Sequence, residues 1–449
     1  MSTQKTQNTV SNGVFSSKLG FILASVGSAV GIGNIWMFPY RVGQYGGAAF
    51  LIPYFLFVIL FGFVGLSGEF AFGRLTGTGP IGSYDYAMKS KKKKGGSILG
   101  AFPLFGSLGI AIGYAIIVGW VLRSIFGSIS GTLFEQESET FFTQMTGPFG
   151  SMPWHITVIV ITFLILAFGA ASNIEKVNKI MMPTFFILFL IIAISVAFMP
   201  GASKGYEYLL VFQWEYLLKP ETWIMAMGQA FFSLSITGSG MIIYGSYLSK
   251  KENIIYSSGM TALLDTCAAL VSGFAIIPAV FVFGLNPQAG PPLMFITLPK
   301  VFSQMDAQVP YLGRIFAILF FISVFFAGIT SLVNMFEVCS EAVQQKLKLN
   351  RTFSVALVAG IVLLVGLFIE YEPFMSKWMD IITIYIVPIG AVLGAIMIYW
   401  VLDRKILNQE LQQGRNKPIS KLFYITAKYI YVFLAVIIVI LGIVYGGIG

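Results

Sequence analysis

Apolar residues in this chain neither alternate with polar ones nor recur every three to four positions. They run on for about 20 residues at a time and stop at short polar or Gly/Pro-rich breaks. That pattern predicts helices long enough to cross a hydrocarbon layer of ~30 Å rather than the half-polar helices and strands of a soluble core. Eleven spans are expected, at about 19–40, 48–72, 97–125, 155–171, 179–199, 223–248, 255–285, 311–345, 352–370, 378–402 and 421–447. Several are longer than a crossing needs, which tilt or extension beyond the membrane accommodates. The two longest, 255–285 and 311–345, are the assignments most open to division.

Loop charges give an independent reading of the count. Arg74, Lys89 and Lys91 to Lys94 follow span 2; Lys176 and Lys179 follow span 4; Lys250 and Lys251 follow span 6. Lys346, Lys348 and Arg351 follow span 8, and Arg404, Lys405, Arg415 and Lys417 follow span 10. The loop after span 3 instead carries Glu135, Glu137 and Glu139 without a lysine. Basic loops mark the cytoplasmic side, so the N-terminus is expected inside and the C-terminus outside a bacterial plasma membrane. The stretch Met1 to Ser17 has no charged n-region followed by an apolar core, so span 1 is expected to direct insertion itself.

Composition narrows the function. At 57% hydrophobic and 10% charged, the 449 residues carry too few charges to coat soluble domains, which average about 25%. The net charge of +9 resides in the short loops, so it sets topology and does not indicate nucleic-acid binding. One histidine, His155, and two cysteines, Cys267 and Cys339, cannot build a His/Cys metal centre or a disulfide framework. No Ser/His, Cys/His or paired-carboxylate constellation suited to nucleophilic or acid–base catalysis is present, so the chain is not expected to be an enzyme. No obligatory protein partner is implied.

Two spans are interrupted at mid-depth. The first contains Gly27-Ser-Ala-Val-Gly-Ile-Gly-Asn34, and the sixth contains Ser233-Leu-Ser-Ile-Thr-Gly-Ser-Gly240. Glycine and small hydroxyl residues weaken helix continuity, although Gly27 and Gly31 would equally suit a small-residue packing face. The placement argues for breaks. Spans 1–5 and 6–10 would form two five-helix halves of inverted topology, about 18–199 and 223–402, each led by an interrupted helix. Such a pair points to a transport site at the bilayer midplane. Residues 1–17 would be a cytoplasmic tail, 18–402 the transport core, and 403–449 a cytoplasmic loop with a peripheral helix.

At these positions the chain resembles the neurotransmitter:sodium symporter family. The resemblance is carried by Leu19-Gly-Phe-Ile-Leu-Ala24, Gly27 to Tyr40, Gly46-Gly-Ala-Ala-Phe-Leu-Ile-Pro-Tyr54, Gly228-Gln-Ala-Phe-Phe-Ser-Leu-Ser235, Tyr244-Gly-Ser-Tyr247 and Phe326-Ala-Gly-Ile-Thr-Ser331. It runs from about Ser17 to Tyr399 and implies an all-α polytopic membrane protein of the LeuT-type fold, in the bacterial variety with eleven helices. It further implies sodium-driven uptake with two sodium sites. The first would use the Ala29 carbonyl, Asn34, Ser233 and Asp265 together with a substrate carboxylate. The second would use carbonyls of Gly27, Val30 and Ala327 and the hydroxyls of Thr330 and Ser331. Neutral oxygens with one carboxylate suit a hard cation.

Asp265 interrupts the apolar run Met260 to Leu270. A carboxylate at that depth costs about 2.5–3.5 kcal/mol on insertion scales and is a functional candidate by default. The resemblance implies asparagine here in many relatives, with a bound chloride nearby; Asp265, beside Tyr54, Gln229 and Ser233, would supply that charge itself and make transport chloride-independent. For the substrate, the resemblance places Tyr114 against a carboxylate, Phe232 as an aromatic lid, and Ile110, Ser235, Thr237, Gly238, Ser331 and Met335 around the side chain, with Ala29 and Ser233 at the breaks. Gly238 stands where relatives carry bulk, favouring a large hydrophobic or aromatic amino acid. Two alternatives stay open: the same fold carrying an amine or osmolyte, or driven by protons, and a slowly transporting amino-acid sensor.

The gates depart from the family. Met37 replaces an arginine whose acid partner corresponds to Asp380, and Arg41 lies one turn on. Asn12 and Gln345 replace the inner ion pair, Phe15 replaces a tryptophan, and Asn173 replaces the glycine that precedes Pro183 by ten positions. Glu69 and Glu337 are expected to be structural, Glu69 bracing the broken helices.

Overall fold

The computed structural model describes residues 13–285 and 293–448; Asn12 lies outside the described residues. Within them the chain is helical, with no strand beyond an isolated bridge between Gly47 and Phe212. Eight helices are long and apolar enough to cross a membrane: Ala48–Thr76, Gly96–Ser130, Ala171–Ala197, Ile254–Val282, Leu312–Leu347, Arg351–Ile369, Glu372–Val401 and Lys421–Tyr445. A ninth is the bent pair Lys18–Ala29 and Gly33–Gln44, whose axes differ by 65°. The remaining two expected spans are shorter pieces: Met152–Ala167, and the pair Pro220–Ser233 and Gly240–Ser246. Spans 7 and 8, the two most open to division, are each one continuous helix.

One boundary differs from the sequence reading. The break between spans 4 and 5 falls at Phe168 to Ala170, and the charged stretch expected to be loop is the first two turns of Ala171–Ala197. Its one buried charge is matched locally and Lys176 is exposed, which is why the helix tolerates them. Glu175 pairs with Lys179 at 2.6 Å and accepts hydrogen bonds from Ser16 and Ser17. Loop helices Pro80–Ser90, Ser138–Thr146, Ala202–Leu210, Leu298–Gln308 and Arg404–Gln412 add to the expected elements.

Hydrogen bonds between loops reveal two faces. Arg74, at the end of span 2, reaches Glu410 after span 10 and the carbonyl of Glu252 after span 6. Lys91 pairs with Asp403, Arg351 donates to Leu166 O across from the loop after span 4, and Phe15 N donates to Tyr247 O. The even-numbered loops and the N-terminal segment thus meet on one face. On the other, Ala48 N donates to Val211 O, Lys300 pairs with Glu139, and Ser151 donates to Glu370. Lys300 holds the Glu139 carboxyl below its ordinary range.

Spans 1, 2, 6 and 7 pack on one another, both halves of span 6 lying against span 2. Spans 3, 4, 8 and 9 form a second group, and span 5 bridges the two by contacting spans 1, 7 and 8. The interrupted spans 1 and 6 therefore face span 8 across the middle of the molecule, where unwound backbone is enclosed by protein as a bilayer requires.

Candidate functional site

The breaks are real and have local causes. Lys18–Ala29 ends at Val30, whose ψ of 114° leaves the helix, and the chain resumes in a wide turn at Gly33–Met37. Pro220–Ser233 ends before Ser235, which is left-handed at φ +51°, and Gly238 follows at φ +74°. A glycine is required at 238 twice over: by that dihedral, and because an added methyl would meet Tyr84 Oη at 2.8 Å and the Gly390 carbonyl. Glu69 Oε1 accepts from Gly238 N at 2.8 Å, bracing the unwound segment as expected. Ser235 Oγ donates to Ser28 O at 2.9 Å, so the two breaks are joined directly.

Four of the residues expected at the first sodium site lie around this junction. Asp265 is completely buried on span 7. Its Oδ1 accepts from Asn34 Nδ2 at 2.8 Å and its Oδ2 from Ser233 Oγ at 2.6 Å. Asn34 Nδ2 also lies 3.0 Å from Ser233 Oγ, while Asn34 Oδ1 accepts from Gly31 N at 3.1 Å. Ala29 closes the first helix half beside them. Among the described residues no lysine, arginine or histidine pairs with Asp265. A carboxylate buried among neutral groups is costly unless a cation or proton joins it, and the surrounding oxygens are those a hard cation takes. Tyr54 and Gln229 are buried, and Gln229 Oε1 has no hydrogen-bond partner among the described residues.

The second set also converges. Ser331 Oγ lies 3.2 Å from Gly27 O and 3.0 Å from Val30 O, and Thr330 Oγ1 lies 2.8 Å from Phe326 O and 3.2 Å from Ala327 O. Carbonyls from the end of a broken helix thus meet the Ser331 hydroxyl of span 8, with Thr330 beside it. Such hydroxyls ordinarily bond only their own helix backbone; Ser331 instead reaches across to span 1.

A third region lies between these sets. Tyr114 Oη accepts from Ile32 N at 3.0 Å, at the start of the second half of span 1. An N-terminal helix end with a phenol beside it suits a carboxylate. Ile110, one turn before Tyr114, Phe232, Ser235, Thr237 and Met335, one turn after Ser331, are only half-buried although they sit at mid-depth among fully buried neighbours. Thr237 Oγ1 shares a hydrogen bond with Ser239 at 2.8 Å. Apolar and aromatic walls with a few directed polar groups make a small-molecule site.

The gates depart from the family pattern in the structure as they do in the sequence. Arg41 does not substitute for the absent arginine: it is buried and donates to Ile448 O at 2.8 Å and Met225 O at 3.3 Å, while Asp380 is exposed. On the other face Gln345 is exposed, and Phe15 packs edge-on against Phe21, Tyr244 and Tyr247. Glu337 is held by Tyr247 and Arg351, a structural ion pair as expected of this acid. Glu175 and Asn178 were missed because their stretch read as loop; their three-residue spacing on an otherwise apolar helix face was the available signal.

Comparison with known proteins agrees with this fold. The model of the sodium:neurotransmitter symporter family matches residues 12–146 and 140–448. An uncharacterized sodium-dependent transporter of Bacillus subtilis, YhdH, is 34% identical, the match covering 96% of this chain and 97% of that protein. The sodium- and chloride-dependent taurine transporter of the dog is 27% identical over 71% of this chain and 58% of its own length. The crystal structure of MhsT in complex with L-phenylalanine superposes with a TM-score of 0.84 at 31% identity, covering 96% of this chain and 99% of that one.

Proposed function

The chain belongs to the sodium:neurotransmitter symporter family, and within this family of sodium-dependent membrane transporters we propose that it imports hydrophobic and aromatic L-amino acids without a requirement for chloride. The observation that carries the reading is Asp265, an acid with no basic partner among the described residues, clasped by Asn34 and Ser233 where both broken helices meet. The cation it calls for is sodium, coordinated with the Ala29 carbonyl and the carboxylate of the substrate. A second sodium would take the carbonyls of Gly27, Val30 and Ala327 with Thr330 and Ser331. Sodium and substrate would bind from the outside, and rocking of the group formed by spans 1, 2, 6 and 7 would release them inward. The basic even-numbered face would be cytoplasmic in a bacterial plasma membrane, with eleven crossings leaving the C-terminus outside.

The apolar walls at Ile110, Phe232 and Met335 support a bulky side chain, as does likeness to a protein solved with L-phenylalanine. The negative charge of Asp265 supports chloride independence, in contrast to the taurine transporter named for its chloride requirement. The test is uptake of labelled phenylalanine, tryptophan or leucine into proteoliposomes, with an inward sodium gradient against choline. Accumulation in sodium alone is expected, and replacing external chloride with gluconate should leave it unchanged. A several-fold drop in gluconate would remove the chloride claim; accumulation in choline would remove sodium coupling.

Tyr114→Phe provides a finer check. A hydrogen bond to a charged group is worth about 1.5–3 kcal/mol, so phenylalanine affinity should fall roughly ten- to a hundredfold. Competition by phenethylamine, which lacks the carboxylate, should be unaffected. Equal losses for both compounds would place Tyr114 away from the carboxylate.

A further inference from the structure

Span 5 approaches span 1 with two polar side chains on one helix face, Glu175 and Asn178, three positions apart. Each points at a glycine. A methyl at Gly20 would overlap the Glu175 carboxylate, and a methyl at Gly27 would overlap Asn178 Oδ1 and come within 3.1 Å of Thr330 Cβ. Glu175 is fully engaged by Ser16, Ser17 and Lys179. Asn178 is engaged on one side only. Its Nδ2 donates to Ile174 O at 2.8 Å, which sets the amide's orientation and turns Oδ1 toward Gly27. That oxygen is enclosed and, among the described residues, has no hydrogen-bond donor.

A buried acceptor without a donor destabilises the fold, and an apolar residue of similar size would avoid the loss. It occupies the space a side chain at Gly27 would take, a space that Thr330 Cβ also borders, and oxygens of Gly27 and Thr330 belong to the second set described above. A further oxygen added to a group of oxygens is suited to a hard cation. We propose that Asn178 Oδ1 is an additional oxygen donor to sodium at the second site, contributed by span 5, an inference that rests on the sodium sites of the proposed function. Sodium then holds span 5 against the first half of span 1. Its departure leaves the Asn178 oxygen unmatched and releases that contact, five positions before Pro183 breaks the ladder of the same helix.

The test uses the purified full chain in lipid nanodiscs. Sodium is titrated in two assays: equilibrium binding of labelled phenylalanine, and the melting temperature without substrate. Asn178→Ala should raise the half-saturating sodium concentration about fivefold or more in both assays. Phenylalanine affinity at saturating sodium should stay within about twofold of the parent; melting in choline, compared in Asn178→Leu, which keeps the side chain's size, should not fall, because the unmatched acceptor is gone. Asn178→Asp should restore or lower the sodium requirement. A merely structural role would lower melting in choline and leave the sodium dependence alone; that result, or a sodium requirement unchanged in Asn178→Ala, overturns the proposal while the transport reading stands. Should Asn178→Ala not fold, Asn178→Ser carries the same comparison. A parent protein that responds to sodium in neither assay overturns the sodium sites themselves, and this proposal with them.

Discussion

Asp265→Asn is expected to abolish sodium-dependent uptake in chloride-free medium and to make any remaining uptake depend on chloride. The substitution keeps shape and burial but removes the negative charge and one of two acceptor oxygens. Both oxygens are in use, Oδ1 by Asn34 and Oδ2 by Ser233, so the asparagine NH2 meets either the Asn34 amide, a donor, or the Ser233 hydroxyl, which must turn to accept. Charge removal is the larger effect. A cation and a carboxylate about 4 Å apart attract by about 4 kcal/mol at an effective dielectric constant of 20, and much of that is lost to the neutral amide. The sodium concentration for half-maximal uptake should therefore rise at least about tenfold. Supplying chloride should recover part of the loss by placing an anion near Tyr54 and Gln229. Parental sodium affinity of Asp265→Asn in gluconate would show that the carboxylate neither binds the ion nor replaces chloride.

Arg74→Gln should destabilise the protein by about 3–5 kcal/mol, the cost of leaving one member of a buried ion pair alone. Arg74 and Glu410 are both buried, their side chains 1% and 2% exposed, with Nε 2.5 Å from Oε1. The guanidinium also donates to Glu410 O at 2.6 Å and Glu252 O at 2.7 Å. One side chain thus ties the end of span 2 to the loops after spans 6 and 10. Melting of the purified protein should drop clearly for Arg74→Gln and for Glu410→Gln, and the double variant Arg74→Met/Glu410→Leu should recover most of the difference, since a buried pair can be exchanged for apolar groups. Single variants that melt with the parent would show that the pair adds nothing to stability.

Much of the site could be read from the linear order of residues because the family motifs are local. Asn34, Ser233, Thr330 and Ser331 each fall within a short characteristic stretch, Asp265 stands out as an acid in an apolar run, and the structure brings the five into two clusters. Gly238 was harder. Its lack of a side chain suggested added room in the pocket, whereas the close approach of Gly390 and Tyr84 and a φ of +74° account for it. The partner of Arg41 could not be read either: one turn from Met37 in sequence, it donates its hydrogen bond to Ile448, more than 400 positions later.

What the sequence determines by itself is set by the membrane. A chain with apolar runs of this length must satisfy its backbone within helices, so the helical class, the spans and the alternation of basic loops follow from hydropathy and charge alone. Partners of polar groups inside the bundle do not follow. There, Arg74, Glu175, Asn178 and Arg41 each choose among donors and acceptors brought together by packing of distant spans, and a helix end cannot be placed by charge when a buried partner neutralises it. The tertiary structure decides those pairings because low dielectric and close packing make every unmatched polar atom costly, and only the assembled fold shows which atoms are matched.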